Sequence, residues 1–405
     1  MRSPERTETE EDHDPGAWAH HVALATGVIN DGIELGRVPA DLAEKTALLG
    51  LGGPGNCAIR GLVRRLTVDG EETDQAFLRH DFRDAALRIA WGFRTLFNLP
   101  TIAALVQGSD TYPDLPYWQR AAATGVAGNL QAVLDEYLHV LPEWLGLVGQ
   151  ESARAAREIG NAVHDAVSIR ASNYRAEQVR VNGRGIEFEP HNIRVRFALR
   201  FGTTTSEDQR HLIHESAVRS AFNSPFWPFV LATTSVGQEG LDFHQYCHAV
   251  VHWNLPANPV DLEQREGRVH RYKGHAVRKN LAERHRDTAF RNGVRDPWSS
   301  MFDEAAASIH DPKHRDISPF WVYEGSARIE RILPFLPLSR EIPHMRRLHA
   351  SLAAYRMVMG QSRQEDLIEL LQHRMSPDDL ELLMQQLRID LSPERSKASA
   401  TSTVS

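Results

Sequence analysis

The chain has 405 residues, 41% of them hydrophobic, which is enough for two or three domains and at least one sizeable core. Its formal net charge of -7 excludes a uniformly basic nucleic-acid binder, so any phosphate contact must come from a local patch. The two cysteines, Cys57 and Cys247, fit no metal-ligand spacing and exclude a disulfide framework. The start MRSPERTETEEDHD is acidic, unlike a signal peptide, and no apolar run reaches the length of a membrane span. The expectation is a cytoplasmic protein with no membrane partner.

In chain order, residues 1–16 read as disordered and 17–150 as a helical region. AALRIAWGFRTLF (85–97) spaces its apolar residues for a helix, and NLQAVLDEYLHVLPEWLGL (129–147) does so until Pro142. GLGGPGNC (50–57) reads as a turn-rich interruption. ESARAAREIGNAVHDAVSIRAS (151–172) predicts another helix, taken here as the start of a second domain over 151–285. Within it, NIRVRFALRF (192–201), FVLATTS (229–235) and CHAVVHWNL (247–255) read as strands. TTTSEDQRHLIHESAVRSAF (203–222) and PVDLEQREGRVHRY (259–272) read as helices between and after them. Strands alternating with helices predict an α/β fold with a parallel sheet covered on both faces. A mostly helical extension follows over 286–390, with Ser376 as a helix cap and Pro377 at the first helical position, then a disordered tail over 391–405.

The chemistry is concentrated in FVLATTSVGQEGLDFHQYCHAVVHWNLPANPVDLEQREGRVHRYKGH (229–275). Asn258 can cap its last helix, with Pro259 in the first position. On a continuous helix Gln264, Gly267, Arg268 and Arg271 are spaced i, i+3, i+4, i+7 and share one face. Guanidinium groups recognise phosphate oxygens by paired hydrogen bonds, and a glycine leaves room for close approach. A solvated basic helix face has the same spacing. Upstream, GQEGLDF (237–243) follows a short apolar strand, where open α/β sheets bind ligands. Gly237 and Gly240 permit close backbone approach, and Asp242 can accept a bond from a ribose hydroxyl. An ordinary tight turn has the same pattern.

TTSVGQEGLD and QREGRVHR resemble motifs V and VI of superfamily-two helicases, closest to the Swi/Snf-like group, and the spacer VVHWNLPANPVDLEQ agrees in order and distance. The resemblance spans about 220–275. It implies a RecA-like second lobe of the P-loop NTPase type, flanked by mainly helical N- and C-terminal regions. It implies that Arg268 and Arg271 act as arginine fingers and that Gln264 positions the nucleotide or the attacking water. Gly240, Asp242 and Gly267 would lie against nucleotide, with ATP and Mg²⁺ as the cofactors. Thr233, Thr234 and Ser235 would lie near a nucleic-acid backbone, DNA before RNA.

The basic run RYKGHAVRKNLAERHR (271–286) carries Lys273, Arg278 and Lys279 and reads either as a phosphate-tracking patch or as a charged surface. The aromatics Phe222, Phe226, Trp227 and Phe229 offer base stacking, though core packing suits their place before a strand better.

A complete motor also needs G-x-x-x-x-G-K-S/T, and the chain contains no Gly-Lys dipeptide. LDEYLH (134–139) imitates an acid box but reads as an amphipathic helix, and MFDEAA (301–306) stands on the wrong side of motif VI. The expected partner is therefore a first helicase lobe with a P-loop, in trans or lost. A non-catalytic nucleic-acid-binding or scaffolding fragment is the competing expectation. No zinc pattern and no nucleophile elbow appears, so no metal ligand is assigned.

Overall fold

The computed structural model describes residues 37–68, 70–108, 115–168, 172–182, 185–195, 217–232, 242–291, 293–309, 316–335 and 339–357, with a few positions beyond. Among the described residues, eight helices come first: α1 (Leu42–Gly52), α2 (Pro54–Leu66), α3 (Thr73–Leu78), α4 (His80–Phe97), α5 (Pro100–Gln107), α6 (Tyr117–Ala127), α7 (Leu130–Trp144) and α8 (Ser152–Val167). β1 (Ser172–Asn182) and β2 (Gly185–Val195) form an antiparallel hairpin. Then come β3 (Ala249–Val251), α9 (Pro259–Gly267), α10 (His275–His285), α11 (Pro297–Ala307), β4 (Glu330–Ile332) and α12 (Glu341–Met357).

The N-terminal helices form one core because their apolar residues repeat at helical spacing. On α4 the buried positions are Phe82, Ala85, Ala86, Ile89, Gly92 and Phe93, a single stripe. It faces Ala155, Ala156, Ile159, Gly160 and Val163 of α8. Gly92 and Gly160 make this approach possible. A Cβ on Gly92 would stand 2.6 Å from a Val167 methyl and 3.0 Å from the His164 Cα, and one on Gly160 would stand 3.1 Å from the Ala85 Cα. Gly92→Leu is expected to cost about 1–3 kcal/mol by overpacking. Urea denaturation reads this, and an unchanged midpoint would show that the two helices have slack.

Helix α8 was expected to open the second domain, yet Ile159 and Val163 belong to the N-terminal core. GLGGPGNC is helical apart from Gly53, whose extended conformation lets α1 end and α2 begin with Pro54 at its first position. Helix α7 runs through Pro142 to Trp144, because a proline so near the end displaces few intrahelical bonds. The parallel sheet is reduced, among the described residues, to the pair β3–β4. Residues 229–232 carry no strand, and 192–195 belong to the antiparallel hairpin. Residues 196–216 and 233–241 lie outside the described ones, as do 1–16, 391–405 and Pro377. No single described helix is long and apolar enough to cross a membrane.

The mainly helical flanks are present as expected. A second core joins Val277 and Leu281 of α10 to Trp298, Met301, Phe302 and Ala305 of α11. The N-terminal helices are not a detached flank. Buried His139 of α7 stacks on Phe302, ring centres 5.7 Å apart, and its Nδ1 lies 3.3 Å from Asp296 Oδ2. Asp296 also caps α11 by accepting from the backbone N–H groups of Trp298 and Ser299. Burial alone would raise its pKa, but the bonds from His139 and Ser299 hold it near 2.

Candidate functional site

The site begins at α9. Asn258 Oδ1 accepts from Val260 N at 2.9 Å, Pro259 occupies the first position and Asp261 lies in the first turn, so the start of the helix is well specified. Leu262 is buried, which fixes the helix's inner face and leaves Gln264 exposed. The helix ends at Gly267. Beyond it Val269 N and His270 N both donate to Glu266 O, at 3.0 and 3.2 Å, closing a turn. Arg268 and Arg271 therefore do not extend the α9 face, contrary to the spacing argument. They sit on the turn that follows, because Val269 is drawn into a small core with Phe222 and Phe243.

That core brings the two motif segments together. Phe243 N donates to Arg268 O at 3.0 Å, and Asn223 Nδ2 donates to Asp242 O at 2.8 Å. Arg271 Nε then lies 3.2 Å from Asp242 Oδ1, with both side chains about half exposed, at 46% and 49%. Among the described residues, nothing lies within 4 Å of where a Cβ on Gly267 would stand. Gly240, Thr233, Thr234 and Ser235 lie outside the described residues.

Sequence reasoning missed the brace behind this turn. His252 Nε2 lies 3.0 Å from Glu266 Oε1, while Arg331 bonds both Glu266 oxygens at 2.5 Å from Nε and Nη2. Burial pushes the Glu266 pKa up, but these bonds outweigh it and hold the carboxyl near 2. The brace ties the end of α9 to the β3–β4 pair. A lone Glu in QREGR carries no hint of a partner 65 positions away.

The basic run is not a continuous phosphate track. Lys273 and Arg278 are buried, at 7% and 1% exposure. Lys273 Nζ donates to Glu143 Oε1 at 2.5 Å and Arg278 Nε to Glu136 Oε1 at 2.7 Å, both on α7. Helix α10 buries Arg278, which reaches Glu136 of α7, and leaves Lys279 at the surface. The aromatics divide: Phe226 packs on Phe93 at 5.0 Å and Phe222 on Phe243 at 5.7 Å, whereas Phe229 is exposed. LDEYLH lies on α7 with Leu134, Tyr137, Leu138 and His139 buried, as an amphipathic helix requires, and MFDEAA lies within α11.

Two histidines flank the site. His275 N donates to His244 O at 3.0 Å. Burial lowers both imidazoles to about 4, with the Arg278 charge adding to the effect on each. The unfolded chain protonates them below about 6.5, while the folded chain resists until about 4. Stability should therefore be full above pH 6.5 and fall as the pH drops from there towards 4. The thermal midpoint between pH 7 and 4.5 reads this, and His275→Asn should flatten the slope. A level profile would show that the imidazoles are not protected.

No curated protein and no solved structure matches the chain. Residues 178–273 match the family model for the helicase conserved C-terminal domain, which implies a RecA-like fold for that stretch. The segment that carries Asp242, Gln264, Gly267, Arg268, Arg271 and Lys273 is thus supported as a helicase C-terminal lobe.

Proposed function

We propose that the chain supplies the second motor lobe of an ATP-dependent superfamily-two helicase or translocase of the Swi/Snf-like kind. A first lobe, bearing a P-loop lysine and an acidic metal ligand, would complete the ATP site. The observation that carries this reading is the meeting of Asp242 and Arg271, from the two motif segments, in a half-exposed ion pair within the helicase-like segment.

The residues fit a nucleotide in kind. Arg271 presents a forked donor to phosphate oxygens, with Arg268 on the same turn. Asp242 is an acceptor for a ribose hydroxyl, and Gln264 is free at the surface to orient a water or a phosphate. An exposed ion pair such as Asp242–Arg271 is worth about 0–1 kcal/mol, so a polyphosphate in a closed cleft can displace it. MgATP supplies the phosphoanhydride whose cleavage drives movement, and its metal would be held by the other lobe. Lys279, Thr233, Thr234 and Ser235 are the proposed nucleic-acid contacts.

A second reading, a nucleic-acid-binding or scaffolding remnant, is favoured by the burial of Lys273 and Arg278, which leaves a thin track for a motor. Fluorescence anisotropy on duplex DNA separates the two. The chain combined with a P-loop lobe should bind with salt-dependent affinity that changes on adding a non-hydrolysable ATP analogue. Binding indifferent to nucleotide would favour the remnant.

A further inference from the structure

Lys273 follows Arg271 by two residues and has φ +49, the left-handed region that a non-glycine residue occupies at a cost. Such a conformation persists only where the surroundings hold it. Here every polar group of the residue is held by a different element. Its N–H donates to Phe320 O at 2.7 Å, and its carbonyl accepts from Arg278 Nη1 at 2.5 Å. Its ammonium donates to Glu143 and lies 4.7 Å from the centre of the Phe302 ring. Gly274 N closes the turn onto Arg271 O at 3.0 Å.

Arg278 works in parallel. Besides Glu136 and Lys273 O, it bonds Gln245 O through Nη2, and its guanidinium lies 5.0 Å from the Tyr246 ring centre. It therefore joins the stretch after Asp242 to the stretch after Arg271. The two carboxylates that receive these cations, Glu136 and Glu143, stand i, i+7 on α7 and so share one helix face. That helix lies outside the segment matched to the helicase domain.

We propose that α7 is a clamp on the arginine turn. Through Glu143 and Glu136 it holds Lys273 in its left-handed kink and fixes Arg278, and so sets where Arg271 points. Lys273 and Glu143 are then positioning residues, not phosphate ligands. The clamp itself stands on geometry; its consequence for catalysis rests on reading Arg271 as a phosphate-binding arginine.

Hydrogen exchange read by mass spectrometry tests the clamp in the full chain, because the amides of Val269, His270, Lys273, Gly274 and His275 are all bonded. Glu143→Gln and Lys273→Met should speed exchange over 268–275 by about tenfold, the effect of losing one charge-assisted bond. Peptides from α7 should exchange at the wild-type rate, and Lys273→Arg, which can still reach Glu143, should retain protection. Calorimetry with inorganic tripolyphosphate on the same proteins should show binding weakened about tenfold in the first two variants and kept in the third. Equal exchange over 268–275 in all four proteins overturns the clamp, whatever the binding. Acceleration spread evenly over α7 and α8 also overturns it, since that is general loosening. Local acceleration without tripolyphosphate binding by any of the proteins upholds the clamp and counts against the phosphate role of Arg271.

Discussion

Arg278→Met should lower the stability of the chain by about 3–5 kcal/mol, the usual cost of removing one partner from a buried ion pair. The guanidinium is 1% exposed and serves Glu136, the carbonyl of Lys273 and the carbonyl of Gln245. Methionine fills much of the volume but leaves a carboxylate and two carbonyls without their donor. Arg278→Lys should recover part of the loss, because an ammonium can meet Glu136 but cannot span three acceptors in a plane. Urea denaturation of the three proteins measures this. A loss under 1 kcal/mol for Arg278→Met would show that water or another side chain replaces the guanidinium.

Arg271→Ala should reduce the turnover of the reconstituted ATPase by about 10³–10⁵, the range found when an arginine finger is removed. Arg271 carries this prediction ahead of Arg268, because it lies beside Asp242 and is 46% exposed. Arg271→Lys should rescue little, since a lysine makes single bonds where the guanidinium makes paired ones. A loss below tenfold in the alanine variant would place the phosphate elsewhere. The folded state should hardly notice the change, because its one assigned ion pair is exposed and worth about 0–1 kcal/mol. This separates Arg271 from Arg278, whose loss acts through folding.

Much of this was legible in the sequence, and what was missed has physical reasons. The helical stripe of 85–97 was readable because burial imposes a 3.6-residue period. The cap at Asn258 and Pro259 was readable because it is local chemistry. The course of the chain after Gly267 was not, since it depends on Val269 packing against Phe222 and Phe243, which the spacing of Gln264 and Arg271 cannot register. The fate of the basic run was equally hidden. KGHAVRKN looks like an exposed patch, and only the distant pair Glu136 and Glu143 turns two of its cations inward. The amphipathic pattern of α8 shows that it packs, not on what, so its place in the N-terminal core is not legible from it.

The central claim is that Asp242, Arg268 and Arg271 form half of a composite ATP site. Steady-state ATP hydrolysis, with and without DNA, by the chain alone and mixed with a lobe that carries a P-loop lysine, tests it most directly. The expected result is no hydrolysis by the chain alone and DNA-stimulated hydrolysis by the mixture that Arg271→Ala abolishes. Hydrolysis by the chain alone, or a mixture indifferent to Arg271, would contradict it.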